Sequence, residues 1–581
     1  MYVWETFRSL WPYIKLFKLP MFLGIVAVLL TDVCVLTAPK LQAYAIRSIE
    51  HRAPLKIVFL YSFGVFFIIA LAGVFRYIWR ILFINAAMKI AYELRKDLFR
   101  KLMSFSPKFY GEFTTGDLMA RATNDLKAVR MAIVPGLIIG LDIIIIGSAS
   151  AVIIFLMDWQ LALLALIPTP FIALAVGYFD TLISTVFERV QKQFSLLSEK
   201  VRENVSGIRV VKSYAQEKAE IENFSALSQE YVTHNMKLWN IEGIFRPIII
   251  FFSTISIILI MIFGLERVIQ GTMDLGDFWA FIEYTWLIVW PMIGIGWLIG
   301  LILRGAASMK RLNEIFERVP IIKSPSAPIR LNQVRGDIFF SDVSFRFEED
   351  GEWVLNDIDL SINAGEKLAI VGKIGSGKSA LINLLLRFHD PQRGRIMLDG
   401  VDISQIDVRD LRQAFGIVPQ ETFLFSDTIK ENIVFGVQEY DDQKVYDVAN
   451  IAQLYQNIQE FPLKFETLVG EKGVTLSGGQ KQRMAISRAL ITDPQIIVFD
   501  DAFSSLDTDT EDRILSNLQR NWQDKTIIVI SHRISTIRNF NHIIVLDQGR
   551  IVEEGKHDTL LTRKGIYWRI YERQKLSEAL H

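Results

Sequence analysis

The chain has 581 residues with 63 basic and 63 acidic side chains, a balance that argues against a protein binding nucleic acid through general positive charge. Hydrophobic residues make up 51% of the chain, which is high for a soluble protein. Cys34 is the single cysteine, so a disulfide within the chain is excluded.

The N-terminal segment mixes aromatic and apolar side chains with the basic residues Arg8, Lys15 and Lys18. It lacks the short apolar core and small-residue cleavage site of a signal peptide. We therefore predict that residues 1–20 form an amphipathic elbow helix lying on the membrane surface.

Long apolar segments follow as far as Arg304, and each is near or above the ~20 residues that a helix needs to cross a bilayer. Because such segments with few charges are hard to bury in a soluble protein, we predict an α-helical six-span membrane domain over residues 21–319. The segments run at about 21–44, 57–84, 131–157, 159–183, 247–270 and 277–303.

The loops between these segments differ in charge. Residues 85–130 and 184–246 are rich in Lys and Arg, whereas the link near Asp158 has no basic residue. Since basic loops stay in the cytoplasm, this pattern predicts a multi-pass protein of the cell membrane with both termini inside. Both basic loops have helical patterning, which predicts spans that extend into the cytoplasm and turn back near 105–107 and 213–216.

After a proline-containing linker at 320–334, strand-like and helical runs alternate to the end of the chain. This alternation predicts a mainly parallel sheet wrapped by helices over residues 335–581. The strand-like runs are Ile338–Phe340, Lys367–Val371, Ile496–Phe499, Thr526–Ile530 and His542–Leu546.

A phosphate-binding motif, G-x-x-x-x-G-K-S, follows the second of these runs and opens a helical stretch. Its glycines let backbone N–H groups wrap phosphates, its lysine reaches the β- and γ-phosphates, and its serine offers a hydroxyl to Mg²⁺. The motif predicts an α/β P-loop ATPase domain with ATP and Mg²⁺ as cofactors. The candidate binding residues are Gly372, Gly375, Ser376, Gly377, Lys378 and Ser379.

Two adjacent carboxylates, Asp500 and Asp501, end the strand-like run Ile496–Phe499. An Asp at a strand end is commonly only a helix cap. With a phosphate loop upstream, however, Asp500 is the expected carboxylate of the Mg²⁺ shell, together with Ser379.

Further motifs, in the same order along the chain, resemble those of ATP-binding cassette exporters. Phe347 matches the aromatic residue that stacks on adenine, where Tyr is commoner. The resemblance covers nearly the whole chain. The matching segments are Phe109–Asp125 (first coupling loop), Val418–Gln420 (glutamine loop), Thr467–Gly473 (cross-talk loop), Leu476–Gln480 (signature), Ser504–Asp507 (D-loop) and Ser531–Arg533 (switch histidine).

The resemblance implies roles for these residues. Gln420 joins the metal shell and catalysis, and His532 joins catalysis. A loop followed by a helix offers backbone donors and a positive helix end, suited to a γ-phosphate. The resemblance implies that the signature caps the ATP of a second cassette, through Ser477, Gly478, Gly479 and Gln480. One chain with six spans and one cassette is therefore half of a dimer.

Asp501 departs from the family pattern, which has Glu as the base that aligns the attacking water. A misplacement of about 1 Å can cost on the order of 10²-fold in rate. We interpret the chain as the degenerate half of a bacterial heterodimer, whose partner subunit carries a competent Glu. Its Lys378, Asp501 and His532 would line a slow site, although the intact His532 argues against full degeneracy. A homodimer with two slow, equivalent sites is the alternative.

The cargo is indicated only by the sixth span, where Glu283, Trp290 and Trp297 repeat every seven residues on one helical face. A Glu at membrane depth usually faces a cavity or a partner, and beside indoles it would attract a cationic amphiphile. Alternatively, the tryptophans form a lipid-facing belt. Hydrophobic drugs or lipids are favoured over peptides or metals.

Two other function classes fit the chain less well. A non-transporting cassette protein would lack the spans, and importers of the superfamily usually encode membrane and cassette parts on separate chains. A nucleotide-gated channel or sensor on the same fold is the alternative, and flux measured against ATP consumption would identify it. We expect ATP-driven export, with a second half-transporter, membrane lipids and a hydrophobic small molecule as partners.

Overall fold

The computed structural model describes residues 2–331, 333–470, 476–522 and 524–579, and the side chains of all these except 2–4 and 577–579. The chain divides into two compact units. The first consists of Met1–Ser104 with Phe113–Arg318, and the second of Phe105–Glu112 with Val319–His581.

The first part of the chain is helical, and the prediction of six spans is confirmed. Six helical stretches among the described residues are long and apolar enough to cross a membrane: Lys18–Glu50, Leu55–Met103, Thr115–Met157, Trp159–Ser206, Glu217–Ile269 and Leu275–Glu317. The helices are α1 (Tyr2–Phe7), α2 (Trp11–Leu16), α3 (Lys18–Glu50), α4 (Leu55–Met103), α5 (Pro107–Glu112), α6 (Thr115–Ala120), α7 (Leu126–Asp142), α8 (Ser148–Met157), α9 (Trp159–Leu166), α10 (Thr169–Ser206), α11 (Ile208–Ser213), α12 (Glu217–Ile269) and α13 (Leu275–Glu317).

Several of these helices are longer than a bilayer requires. The longest, α12, has 53 residues, which corresponds to about 80 Å at 1.5 Å per residue, against a hydrocarbon core of about 30 Å. The chain turns between α4 and α5, and again between α11 and α12, where the sequence predicted it to turn. The spans therefore continue well beyond the apolar layer.

The N-terminal segment differs from the single amphipathic helix that the sequence predicted. It consists of α1, a short 3-10 turn and α2, because Pro12 has no N–H to donate to the preceding turn and is favoured in the first turn of a helix. The Ser9 hydroxyl donates to Asn313 Oδ1 at 2.9 Å, and the Tyr13 hydroxyl donates to Asp97 Oδ2 at 2.8 Å. The segment is thus hydrogen-bonded to α4 and α13 of its own unit.

The predicted first coupling loop is divided between the two units. Residues 105–112, which include α5, belong to the second unit. Asp117 and Arg121 belong to the first, where Arg121 Nε lies 2.8 Å from Asp117 Oδ2. Arg311 of α13 pairs with the other oxygen of Asp117 at 2.6 Å. This ion-pair network holds the turn after α6 against the end of α13.

The second unit contains every strand that the sequence predicted. The strands are β1 (Ile338–Phe345), β2 (Leu355–Ile362), β3 (Lys367–Gly372), β4 (Arg393–Leu398), β5 (Val401–Asp402), β6 (Phe415–Val418), β7 (Ile496–Asp500), β8 (Thr526–Ile530), β9 (His542–Asp547) and β10 (Arg550–Gly555). The helices are α14 (Lys378–Leu385), α15 (Val408–Gln413), α16 (Ile429–Val434), α17 (Asp442–Ile451), α18 (Tyr455–Glu460), α19 (Gly478–Leu490), α20 (Thr508–Asn521), α21 (Ile534–Ile537), α22 (His557–Arg563) and α23 (Ile566–Ala579).

The strands form two sheets rather than one. The larger has the order β10-β9-β3-β8-β7-β6 and is parallel except for β10. The smaller is antiparallel, β2-β1-β4-β5, and it contains the predicted strand Ile338–Phe340. This second sheet was missed, although β2 alternates buried and exposed residues as an antiparallel strand does. Irregular pairing after Phe340 breaks that alternation in β1.

The larger sheet is buried on both faces. In β7, Ile497 and Phe499 belong to one apolar cluster and Ile496 and Val498 to another, and all four are fully buried. Because β3, β8 and β7 are parallel neighbours, their carboxyl ends meet at one edge, where ligands bind in open α/β sheets.

Candidate nucleotide site

The phosphate-binding motif forms the loop between β3 and α14. Gly375 and Gly377 have φ angles of 82° and 103°, which side chains other than glycine rarely adopt. A Cβ atom on Gly372 would clash with the carbonyl oxygen of Leu546 on the paired strand β9. The loop conformation therefore depends on glycine at the three predicted positions.

Lys378 is the first residue of α14 and is 7% exposed. Its ammonium donates to the carbonyl oxygens of Gly372 and Lys373, both at 2.8 Å. Burial lowers the pKa of Lys378, and the nearby carboxylates of Asp500 and Asp501 oppose that shift. The loop thus holds a cation beside two anions.

Ser376 gives a direct test of whether the loop suits an anion. Its side chain is 4% exposed, and its hydroxyl has no hydrogen-bond partner among the described residues. A buried polar group without a partner costs free energy, so such groups call for an explanation. A phosphate oxygen in the loop would accept the hydrogen bond from this hydroxyl.

Asp500 and Ser379 form an oxygen-rich pair at the end of β7. Burial raises the pKa of Asp500, and a hydrogen bond with the Ser379 hydroxyl opposes that shift. Gln420 lines the same cleft. Within the described ranges, no group of three or more His, Cys, Asp and Glu residues is placed to hold a metal. This arrangement fits Mg²⁺, which is usually held by one or two protein oxygens together with phosphates and water.

The structure brings most of the predicted site together in one cleft of about 430 Å³. Phe347, the phosphate loop, Gln420, both carboxylates and His532 line it. The ring of Phe347 is 49% exposed and packs edge-on against Phe345, with centroids 5.0 Å apart. The sequence missed four further lining residues outside the motifs: Val354, Ala380, Asn383 and Ile530.

Asp501 has a constrained backbone. Its φ angle is 49°, in the left-handed region that Asp tolerates better than most residues. Its N–H donates to the carbonyl oxygen of Ile530 on β8 at 3.0 Å. The position of its Cα is therefore set by the neighbouring strand.

The signature residues lie outside this cleft, at the start of α19. Ser477 and Gln480 form a capping box: the Ser477 hydroxyl accepts from the Gln480 N–H at 3.3 Å, and the Gln480 carboxamide accepts from the Ser477 N–H at 2.9 Å. The Gln480 side chain, predicted to bind nucleotide, is thus engaged in the cap. A Cβ atom on Gly479 would lie 3.1 Å from the Ser505 carbonyl oxygen.

Part of the predicted cross-talk loop, residues 471–473, lies outside the described residues.

The D-loop is held by two side chains, Gln482, which the sequence did not single out, and Arg533 of the switch-histidine segment. Gln482 of α19 donates to the Ser504 hydroxyl and accepts from the Ser505 N–H, both at 3.0 Å. Arg533 donates to the carbonyl oxygens of Leu506 and Ser504 at 3.0 and 3.1 Å. The switch-histidine loop and the D-loop are therefore directly hydrogen-bonded.

Arg533 also pairs with Glu511 of α20 at 3.2 Å. Glu511 is 1% exposed, and burial raises its pKa, which hydrogen bonds from Thr536 and Arg533 oppose. A buried acid on an otherwise polar helix requires such partners. The pairing of Glu511 with Arg533 of the switch-histidine segment could not be predicted from the sequence, because the two residues meet only in the folded unit.

Comparison with known proteins covers both halves of the chain. The family model for the ABC transporter transmembrane region matches residues 21–292, and the ABC transporter model matches residues 355–504. The structure resembles that of a bacterial Atm1-family ABC exporter with ATP bound, with a TM-score of 0.79, 28% identity, and coverage of 96% of this chain and 98% of that chain.

Curated relatives align over most of their length. The chain is 35% identical to the probable multidrug resistance ABC transporter ATP-binding/permease protein YheI of Bacillus subtilis, over 99% of both chains. It is 33% identical to the multidrug resistance-like ATP-binding protein MdlA of Escherichia coli, over 87% of this chain and 85% of the relative. It is also 33% identical to the ATP-dependent lipid A-core flippase of Syntrophus aciditrophicus, over 86% and 82%.

The two family models and these near full-length relatives establish the family. The chain belongs to the ABC transporters, as an exporter with fused transmembrane and nucleotide-binding domains whose ATPase activity is coupled to transport.

Proposed function

We propose that this chain is one half of a dimeric, ATP-driven exporter of hydrophobic or amphipathic compounds, drugs or lipids, and that it contributes the slow nucleotide site of a heterodimer. The observation that carries the proposal is Asp501. Its carboxylate lines the cleft beside His532, where the family pattern has the longer Glu.

The geometry explains why the shorter side chain matters. The Asp501 N–H donates a hydrogen bond to the Ile530 carbonyl oxygen of β8. This bond keeps the backbone from shifting towards the cleft to compensate for the shorter side chain. A general base acts only within hydrogen-bond reach of its proton. A carboxylate held too far back would leave nucleotide binding intact while slowing hydrolysis.

The other cleft residues fit the binding of ATP with Mg²⁺. When bound, the nucleotide supplies the phosphoanhydride whose hydrolysis drives the cycle. Phe347 offers an exposed ring for stacking on adenine, and Lys378 and the loop amides would hold the phosphates. Ser379, Gln420 and Asp500 would hold the metal, and His532 would join catalysis.

Two observations support a dimer. The signature residues Ser477 and Gly478 are not part of the phosphate-loop cleft of their own chain, so a second cassette would be needed to use them. Helix α11 and the turn that follows it expose apolar side chains, including Val210 and Tyr214, which are 61% and 73% exposed. A partner subunit with a competent Glu would complete both the nucleotide sites and this contact.

A cleft in the membrane unit supports an amphipathic cargo. It has a volume of about 370 Å³ and combines an indole and apolar groups with an amide and two cations. Trp297 and Trp290 are 51% and 61% exposed. Exposed indoles also suit a lipid-facing belt, and a transport assay separates the two interpretations. The lining residues are Asn124, Lys127, Ala128, Met131, Trp297, Leu301 and Arg304.

The charge pattern of the loops supports the orientation. Because the basic segments 85–130 and 184–246 are expected to stay inside, both termini and the nucleotide-binding domain would lie in the cytoplasm. The protein would then act in the inner or plasma membrane.

The test is purification from the native membrane, followed by ATPase measurement. We expect a second, different half-transporter to accompany this chain. The chain alone should bind Mg-ATP with feeble turnover, and Asp501→Glu should raise that turnover on the order of 10-fold or more. Brisk turnover by a verified homodimer of the unaltered chain would overturn the slow-site assignment.

A further inference from the structure

The C-terminal helix α23 turns one face towards the catalytic core of its unit. Tyr567, Ile570, Tyr571 and Gln574 follow the i, i+3, i+4, i+7 spacing of a single helical face. Tyr567 is fully buried, and Ile570 and Tyr571 pack against the same apolar cluster as Ile534 and Phe499. Gln574 is therefore the polar end of a buried stripe.

The carboxamide of Gln574 bridges the backbone on either side of Arg533. Its Nε2 donates to the carbonyl oxygen of His532, and its Oε1 accepts from the Ile534 N–H at 2.9 Å. An amide has both a donor and an acceptor, so a single side chain satisfies both backbone groups.

Arg533 fixes the other side of the loop that contains His532. Arg533 reaches the carbonyl oxygens of Leu506 and Ser504 in the D-loop, and Glu511 pairs with its guanidinium. By contrast, the imidazole of His532 forms no hydrogen bond with the described residues. The place of the ring in the cleft therefore depends on how its backbone is held.

The start of α23 is anchored independently of Gln574. The N–H groups of Ile566 and Tyr567 donate to the Glu553 carboxylate at 2.6 and 3.0 Å. The Tyr567 hydroxyl lies 2.8 Å from His557 Nδ1. Removing the Gln574 amide should therefore leave the helix docked and change only the loop that it contacts.

We propose that Gln574 is a positioning residue for ATP hydrolysis, which holds the backbone of His532 so that the imidazole points into the nucleotide cleft. The inference rests on the catalytic role proposed above for His532. The contacts that anchor the start of α23 involve no residue that lines the cleft. Through Gln574, the same helix would nevertheless fix the position of the His532 imidazole.

The test uses the full transporter with its partner subunit, with Asp501→Glu in this chain and the partner's catalytic carboxylate removed, so that turnover reports this chain's site. Gln574→Ala removes both hydrogen bonds. Gln574→Glu keeps the acceptor for Ile534 but replaces the donor to His532 by an oxygen. Lys575→Ala, at an exposed neighbour on the same helix, is the matched control.

We expect both Gln574 variants to lower kcat about tenfold, while the KM for ATP and the affinity for a fluorescent ATP analogue stay within about twofold. Lys575→Ala should leave all three unchanged. Thermal unfolding is measured alongside. If the Gln574 variants turn over ATP as fast as the control, or lose kcat only in proportion to nucleotide binding, the proposal is overturned.

His532→Ala in the same background distinguishes the two proposals. If His532→Ala is slow while Gln574→Ala is not, only the positioning role fails. If His532→Ala is itself fast, the catalytic role of His532 fails, and the positioning role fails with it.

Discussion

The Nη1 atom of Arg121 lies 2.9 Å from Oε2 of Glu314, joining the turn after α6 to the end of the last long membrane helix, α13. Arg121 is 6% exposed, and it also pairs with Asp117 and donates to the backbone carbonyl of Arg311. A buried guanidinium with this many partners is costly to lose, because Glu314 loses this counter-charge, Asp117 keeps only its pair with Arg311, and the Arg311 carbonyl loses a donor.

Arg121→Ala should therefore destabilise the membrane unit by about 3 kcal/mol, measured as a lowered free energy of unfolding in detergent. The control is Lys96→Ala, which removes an exposed pair with Glu93 at 3.5 Å and should cost about 0–1 kcal/mol. Equal losses in the two variants would show that the Arg121 network is no stronger than a surface pair.

The two nucleotide sites should respond unequally to mutation. A Cβ atom on Gly478 would lie 3.6 Å from the Ser505 side chain, an ordinary contact, so Gly478→Ala should fold normally. It should nevertheless nearly abolish ATPase activity of the complex, because the extra methyl would obstruct the nucleotide of the partner's competent site. Asp501→Asn should reduce activity far less, since its own site is already slow.

Steady-state phosphate release from the purified complex tests this asymmetry. Equal inhibition by Gly478→Ala and Asp501→Asn would contradict the division into a fast and a slow site.

The membrane cleft should contribute to cargo recognition. Trp297→Ala removes the indole that lines the cleft. It should lower vesicle uptake of a fluorescent anionic amphiphile, whose head group Lys127 and Arg304 would attract, several-fold, while ATP turnover without cargo persists. The matched control is Trp159→Ala, an indole that is 60% exposed and does not line this cleft. If the two changes reduce uptake equally, the tryptophans act as an interfacial belt.

The exposed turn at Tyr214 should transmit force between subunits. Glu217 there already pairs with Lys212 at 2.8 Å, which leaves Tyr214 as the main exposed group for docking. Tyr214→Ala should keep nucleotide binding and lower transport per ATP several-fold, because a cassette that no longer contacts this turn would move without moving the membrane helices. Uptake and phosphate release are measured in the same vesicles.

Arg202→Ala, in an exposed pair with Glu199 on α10, is the control for this change. Unchanged transport per ATP in the Tyr214 variant would show that this turn is not the coupling contact.

The sequence determined the features that depend on neighbouring residues alone. Apolar length predicted the six spans, since each must cross the same hydrocarbon layer. The phosphate loop could be predicted because its glycines, lysine and serine are close neighbours in the sequence. They all lie in the short segment that joins β3 to α14. The shared Mg²⁺ role of Asp500 and Ser379 and the roles of the signature remain predictions from pattern and resemblance.

The tertiary structure decided how distant segments meet. It placed β1 in a separate antiparallel sheet, split the N-terminal segment at Pro12, and used the Gln480 side chain as a cap. The contact between Gln574 and the His532 backbone spans 42 residues, and that between Arg533 and Ser504 spans 29. No local pattern encodes such pairs, because they form only when the buried faces of α20, α23 and the central sheet pack together and bring their polar ends within hydrogen-bond distance.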